Sequence, residues 1–381
     1  MVGKPRSRRR IVFLFSDTGG GHRSATEAMM EAMDLEFPGV FETKKIDFFT
    51  EYYPQPLRSA PEIYPPMTRI PEVWEFSYRM FNGRRRSVAM NRIAYPIVRR
   101  AIRRLLRENP ADVIVSVHPL VNAAVLRAMR RAPVPFVTVV TDMVTTHAFW
   151  YDRRADLIVV PTEQAKLRGI ECGVPAQKMT VVGLPVAEKF RRPPIDPGPI
   201  RERLGWASDR PVILLVGGGD GMGPVARVAK AINEARLNAS LAVICGRNDS
   251  LYARLSRVDW NMPIHLYGFV TDMPDFMAAA DVLVTKAGPG TISEAFISGL
   301  PLVLYSRMPG QEDGNVSYVM QEDAGVWAPT PDLVVNALRR WVNTPLERAR
   351  AAASSARVGR PDAAREIVRL IGARAGVFRA D

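Results

Sequence analysis

Short, unbroken apolar runs recur along the chain, separated by longer segments in which apolar residues fall every three or four positions. The runs are Ile11 to Phe15, Val113 to Val117, Phe136 to Val140 and Leu157 to Val160, then Val212 to Val216, Leu241 to Cys245, Ile264 to Tyr267, Val282 to Thr285 and Leu302 to Tyr305. A strand with one face in water alternates apolar and polar residues, so unbroken runs imply strands covered on both faces. Strands alternating with helical segments predict an α/β fold of two doubly wound parallel sheets. Between the two series lies Glu188 to Gly198, rich in arginine and proline, which reads as a linker. The expected layout is a first domain over 1–187, a linker over 188–200, a second domain over 201–360 facing the first across a cleft, and a final helical segment over 361–381 able to pack back on the first domain.

One segment breaks this rhythm. Six prolines (54, 56, 61, 65, 66 and 71) fall between Tyr52 and Arg86, interleaved with Tyr52, Tyr53, Tyr64, Trp74, Phe76, Tyr78 and Phe81. That proline density forbids a regular strand and delays any long helix to about Val73. The segment ends in Gly83-Arg84-Arg85-Arg86, and after Pro96 the run IVRRAIRRLLR sets Ile97, Val98, Ala101, Ile102, Leu105 and Leu106 on one helical stripe against Arg99, Arg100, Arg103, Arg104 and Arg107 on the other. Such a helix packs its stripe on a sheet, and its arginines suit an anionic bilayer surface.

Composition narrows the class. The 381 residues, 47% of them apolar, are enough for two cores. No apolar run approaches the ~20 residues needed to cross a bilayer. Ile11 to Phe15, behind the basic stretch Lys4 to Arg10, is too short for a secretory leader, and the two cysteines, Cys172 and Cys245, form no disulfide framework. These features set the expectation of a cytoplasmic protein, peripheral on the inner face of the plasma membrane. The net charge of +13 is uneven: residues 1–190 hold 29 Lys and Arg against 19 Asp and Glu, the remainder 23 against 20. A positive first half attracts nucleic acid, anionic lipid or anionic substrate alike.

The motifs choose among these. The first strand runs into Asp17-Thr18-Gly19-Gly20-Gly21-His22 and then a helix, and the second series opens likewise on Gly217-Gly218-Gly219-Asp220-Gly221. Glycines at a strand-to-helix turn let backbone amides approach a ligand, and the helix start favours negative charge. Neither spacing is a dinucleotide fingerprint or a P-loop. Further on, Ala287-Gly288-Pro289-Gly290-Thr291 starts another helix, with Glu294 one turn in and able to accept from two ribose hydroxyls, and Gln311, Glu312 and Asn315 offer groups for sugar hydroxyls. His22 is the candidate general base for an acceptor hydroxyl, and Asp142, at a strand end in VTDM, is the candidate to orient it or the acceptor. His118 and His147 are weaker candidates, and His265 reads as structural.

The stretches SDTGGGHRSAT, VTDMVTTHAFWY, VVGLPV, VGGGDGMGP, GFVTDM, TKAGPGTISEAFISGLPLVL and PGQEDGN resemble the monogalactosyldiacylglycerol synthase family of GT-B glycosyltransferases, over roughly residues 11 to 330. The resemblance implies an inverting enzyme that moves a hexose, galactose or glucose, from a UDP-sugar to the sn-3 hydroxyl of diacylglycerol at a membrane, with no metal and no cofactor. It implies His22 as base, Phe269, Val270 and Thr271 around the uracil, residues 287–291 at the diphosphate, Glu294 at the ribose, and Gln311 and Glu312 at the sugar, to which the sequence itself adds the Gly217–Gly219 turn at the diphosphate and Asn315 on the donor side. The acceptor and membrane side would comprise Gly20, Gly21, Trp74, Arg84, Arg85, Arg86, His147 and Trp150. Two stretches depart from the family. His147-Ala148-Phe149-Trp150-Tyr151 stands where plant members carry a His-Pro-Thr-Trp-Phe-like run, and Ala187 stands where an Arg is expected.

Two other readings fit less of the chain. A UDP-N-acetylglucosamine transferase acting on a lipid-linked cell-wall precursor shares the two-domain plan and a glycine-rich loop ending in His, but TKAGPGTISEA and PGQEDGN look closer to the galactolipid family. A nucleic-acid-binding protein accounts for the charge and leaves the glycine loops unused. The expected partners are UDP-hexose, diacylglycerol and an anionic membrane surface, and no nucleic acid.

Overall fold

A computed structural model of the protein describes residues 8–17, 20–62, 71–193, 196–219, 221 and 223–377. Thr18, Gly19, Asp220 and Tyr64, all within motifs singled out above, lie outside the described residues. The chain forms two compact units, one of residues 1–188, 309–311 and 362–381, the other of 189–308 and 312–361.

The first unit is a six-stranded parallel sheet: β1 Arg9–Phe15, β2 Phe41–Asp47, β3 Val113–Ser116, β4 Phe136–Val139, β5 Leu157–Val160 and β6 Met179–Val181, in the order β2-β1-β3-β4-β5-β6. Strands β3, β4 and β5 are buried along their whole length, which is why their sequences do not alternate. β2, with the sequence FETKKID, buries only Phe41 and Ile46, so its polar residues hide it from a search for apolar runs. On one sheet face the helix Gly21–Glu36 packs through Ala25, Ala28, Met29, Ala32 and Met33, a helical spacing. The last helix, Ala363–Arg374, closes on the same face, where a Cβ at Gly372 would come 2.8 Å from the Phe37 ring. Arg365 and Arg369 reach the buried Glu36, with Arg369 the main cause of its lowered pKa, and Arg365 also pairs with Glu188.

The segment around Pro96 departs from the expected reading. One helix runs from Arg84 to Glu108 straight through Pro96, so the arginine triplet begins a helix instead of ending a loop. Pro96 is exposed, and the carbonyl of Arg92 that its missing N–H leaves unbonded lies on a wet part of the helix. The stripe divides too. Tyr95, Val98, Ile102 and Leu105 are buried, the last three in one core with Val12, Leu14 and Ile114 of the sheet, whereas Ile93 and Ile97 are 68% and 61% exposed.

The second unit is another six-stranded parallel sheet: β7 Val212–Val216, β8 Ser240–Ile244, β9 Ile264–Tyr267, β10 Val282–Lys286, β11 Leu302–Ser306 and β12 Gly325–Trp327, in the order β12-β11-β10-β7-β8-β9. In each sheet the connections turn opposite ways from one adjacent pair, β1 with β3 in the first and β7 with β10 in the second. Ligands of such sheets bind beyond the carboxyl ends of the strands at that reversal. The Gly20 turn follows β1, the Gly217–Gly219 turn follows β7, and residues 287–291 follow β10. Among the described residues, no helix is long and apolar enough to cross a membrane.

Candidate active site

In the first unit the turn after β1 ends at Gly20, which takes a left-handed conformation (φ 79°) and opens the helix that begins at Gly21. His22 stands in the first turn of that helix. Its Nδ1 lies 2.8 Å from the Thr141 hydroxyl, just past the end of β4, and its ring meets His118 edge-on at 4.7 Å. Burial lowers the imidazole to about 4, against the opposing pull of the Val117 carbonyl. His22 is therefore neutral at physiological pH. His118, buried after β3, is also held well below its usual range by burial and by His22.

Asp142 has different partners from its neighbour. Its Oδ2 accepts from Trp150 Nε1 at 2.7 Å and its Oδ1 accepts from Gln311 Nε2 at 3.0 Å. The ring of His22 is thus hydrogen-bonded to Thr141, which no sequence reading singled out. The only signal for it was its position beside Asp142 at the carboxyl end of a buried strand. Trp150, expected on the acceptor or membrane side, is fully buried and serves to hold Asp142. His147 is buried as well. Its Nδ1 accepts from the Phe149 amide, its ring meets Tyr78 at 5.0 Å, and burial lowers it to about 4.

The other residues of that side lie on the two helices Pro71–Phe81 and Arg84–Glu108. Trp74 is half-buried beside Tyr78, and Arg84, Arg85 and Arg86 are exposed. Arg84 lies against Gly173, where a Cβ would come within 2.6 Å of its guanidinium, and Arg86 donates to the Met80 carbonyl. Glu75, Phe76, Arg79, Met80 and Arg86 line an open pocket of about 560 Å³.

In the second unit the expected donor residues other than Gln311 lie beyond the carboxyl ends of β7, β9, β10 and β11. Gly218 (φ 74°) sits in the turn after β7, where Gly217 and Gly219 flank it. Register pairs Val216 with Thr285, so this turn and residues 287–291 leave the sheet side by side. Gly288 precedes the helix Pro289–Ile297, which has no side-chain cap, leaving the amides of Gly290 and Thr291 for a ligand. Ala287 is fully buried, and its carbonyl accepts from Asn315 Nδ2 at 2.9 Å, while Asn315 Oδ1 is buried without a partner. Burial raises Glu294 to about 7, with Lys189 acting the other way. After β9, Phe269 is 54% exposed beneath the Arg247 guanidinium, 4.3 Å from the ring centre, and Val270 and Thr271 follow. Glu312 is buried, bonded to Lys286 Nζ at 2.9 Å and to the Met308 amide at 2.7 Å. Gln311 groups with the first unit, and its Oε1 is buried without a partner. Lys286 and Arg247 were missed in the sequence because a lone cation next to glycines carries no periodicity. Among the described residues, no three His, Cys, Asp or Glu side chains are placed to hold a metal ion.

A family model for monogalactosyldiacylglycerol synthase matches residues 22–186, and one for the glycosyltransferase family 28 C-terminal domain matches residues 212–367. A probable monogalactosyldiacylglycerol synthase of Nicotiana tabacum is 35% identical over 94% of this chain and 70% of its own length. The corresponding synthase of Spinacia oleracea is 34% identical over 96% and 72%. Among solved structures, Acinetobacter baumannii MurG (TM-score 0.62, 16% identity, 96% of this chain and 99% of that one) and the S. aureus MnaA–UDP complex (0.64, 13%, 98% and 99%) share the fold. The plant relatives are named as chloroplastic, which overturns the expected location on the inner face of the plasma membrane. The physical reason is that a basic, amphipathic face matches an anionic bilayer in any compartment, so charge could not specify one. With both units matched by family models and relatives aligned over nearly the whole chain, the chain belongs to the monogalactosyldiacylglycerol synthase family of GT-B glycosyltransferases.

Proposed function

We propose that this chain transfers galactose from UDP-galactose to the sn-3 hydroxyl of 1,2-diacylglycerol at a membrane surface, with inversion to a β-glycoside. The observation that carries this reading is His22, a neutral imidazole held at Nδ1 by Thr141 on the acceptor-side unit of a galactolipid-synthase fold. The hydroxyl oxygen attacks the anomeric carbon as the bond to the β-phosphate oxygen breaks. His22 takes the hydroxyl proton, and UDP leaves with the bond's electron pair. Charge gathers on the leaving diphosphate, where the amides at Gly218, Gly290 and Thr291 are oriented before the reaction begins, so the step needs no metal. Phe269 and Glu294 suit the uracil and ribose, and Glu312 and Asn315 suit the sugar. A C4 epimer differs by the placing of one hydroxyl, so galactose over glucose rests on a few hydrogen bonds.

The membrane contact is assigned to the exposed side of the helices Pro71–Phe81 and Arg84–Glu108. Phe76, Ile93 and Ile97 are each more than 60% exposed, and Arg79, Arg86, Arg92 and Arg100 of the same two helices are exposed as well. Apolar side chains among arginines suit the boundary between acyl chains and anionic headgroups.

The test is turnover of radiolabelled UDP-galactose and UDP-glucose in anionic vesicles containing diacylglycerol, with wild type and His22→Ala. A labelled monoglycosyl lipid formed from UDP-galactose by wild type and lost in the variant is the expected result. Failure to form product from either donor, despite UDP binding, overturns the acceptor assignment.

A further inference from the structure

We propose that Lys286 is the leaving-group residue, the cation that binds the β-phosphate of the departing nucleoside diphosphate. This inference rests on the transfer proposed above and adds to it the residue that meets the developing charge. Lys286 is the last residue of β10, at the point where the second sheet reverses its connections. Its side chain reaches both glycine turns: a Cβ on Gly218 would lie 3.7 Å from Lys286 Cε, and one on Gly288 would lie 3.1 Å from Nζ. A charge at that position lies over both turns whose amides face a diphosphate.

Glu312 keeps the ammonium there. One of its oxygens is bonded to Lys286 Nζ at 2.9 Å and the other accepts the Met308 amide at 2.7 Å, and its side chain is only 6% exposed. An ammonium has three N–H donors, so this bond leaves two for phosphate oxygens. The arrangement costs little reorganisation at the moment of reaction, because the lysine is positioned before the donor arrives. When the C1–O bond breaks, its electron pair stays on the β-phosphate oxygen, and Lys286 offsets the added negative charge without giving up a proton.

Arg247 is the rival cation, since a Cβ on Gly219 would lie 3.5 Å from its Nη1. Its guanidinium, however, rests over the Phe269 ring. That position suits the nucleoside end of the ligand, whereas Lys286 spans the diphosphate end.

UDP and UMP differ by the β-phosphate alone, so their affinity ratio isolates this contact. Calorimetric titration of both nucleotides, without acceptor or lipid, into wild type, Lys286→Met, Lys286→Arg and Arg247→Gln tests it. We expect wild type to favour UDP by about tenfold to a hundredfold. In Lys286→Met the ratio should fall to near one with UMP affinity nearly unchanged, and Lys286→Arg should restore most of it. A wild-type ratio near one overturns the proposal. So does a ratio that survives in Lys286→Met, an equal loss of both nucleotides in that variant, or a collapse of the ratio in Arg247→Gln only. Wild-type turnover in the lipid assay is judged separately: if it fails while the UDP to UMP ratio behaves as expected, the acceptor reading falls and the role of Lys286 in diphosphate binding stands.

Discussion

In the first unit, the glycine turn after β1 leads into a helix that presents one reactive side chain, His22, and anchors it to the end of a strand two places away in the sheet. In the second unit, the matching turn after β7 leads into backbone amides, and the nearby charge comes from β10. Both units are doubly wound sheets with their openings at the reversal of strand order. On the proposed reading, one scaffold moves a proton and the other holds a polyanion. The fold decides where a site lies, while the residue that follows the glycines decides what chemistry is done there.

The sharpest way to break this comparison is at His22. Removing its imidazole in His22→Ala should lower kcat by about 10²- to 10⁴-fold, the usual weight of a positioned base, and leave UDP affinity nearly unchanged. Single-turnover kinetics alongside calorimetry with UDP checks both halves. A large loss of UDP affinity would mean that the two units do not divide the work as described.

In the second unit the corresponding change is Glu294→Ala, which removes the proposed ribose acceptor. The expected effect is a rise of about tenfold to a hundredfold in KM for the UDP-sugar, with kcat changed less. The carboxyl also sets a pH dependence. Because burial raises it to about 7, it is largely neutral at pH 6 and ionised at pH 8, and only the ionised form accepts from two hydroxyls without giving up an oxygen to a proton. Affinity for UDP-galactose in the absence of acceptor, whose diphosphate has no terminal phosphate to titrate, should therefore strengthen as pH rises from 6 to 8 and become flat across that range in Glu294→Gln. The base behaves differently. His22, lowered to about 4, remains deprotonated across this range, so kcat at saturating donor should lose activity only as pH falls toward 4, well below the ordinary histidine value near 6.5.

A third test concerns the outer side of the first unit. Replacing both Ile93 and Ile97 by Glu removes apolar area and places negative charge beside arginines. Partitioning onto anionic vesicles should drop about tenfold or more, while UDP binding in the absence of lipid stays as in wild type. Sedimentation with vesicles of graded phosphatidylglycerol content measures it, and unchanged partitioning would move the membrane face elsewhere.

The second unit was the more legible of the two in the sequence. Its apolar runs are unbroken, its glycine loops follow successive strands, and the β7 to β10 pairing brings them together as parallel topology requires. The first unit was read less completely. β2 was hidden because an edge strand with one wet side carries lysines and glutamates, and β6 because a three-residue edge strand carries no pattern at all, which also hid β12 in the second unit. The helix through Pro96 was shortened because local propensity placed a boundary there, while burial of Tyr95, Val98, Ile102 and Leu105 overrode it. His22 was singled out from chemistry and spacing. Thr141 could not be, since it is 119 residues away and only the folding of β4 near β1 brings its hydroxyl to the ring.

That long-range contact yields the smallest of the expected effects and the finest test of how the base is held. For Nε2 to accept a proton, Nδ1 must carry the hydrogen and donate it to the Thr141 oxygen, so the hydroxyl selects the tautomer as well as the orientation. Thr141→Val keeps the shape and removes the acceptor. The ring should then sample the wrong tautomer, lowering kcat by about fivefold to tenfold, the weight of one neutral hydrogen bond, with KM for the UDP-sugar unchanged. Thr141→Ser restores the oxygen and should recover most of the rate. If valine and serine behaved alike, the threonine would matter only for packing, and the ring would owe its orientation to the His118 edge contact instead.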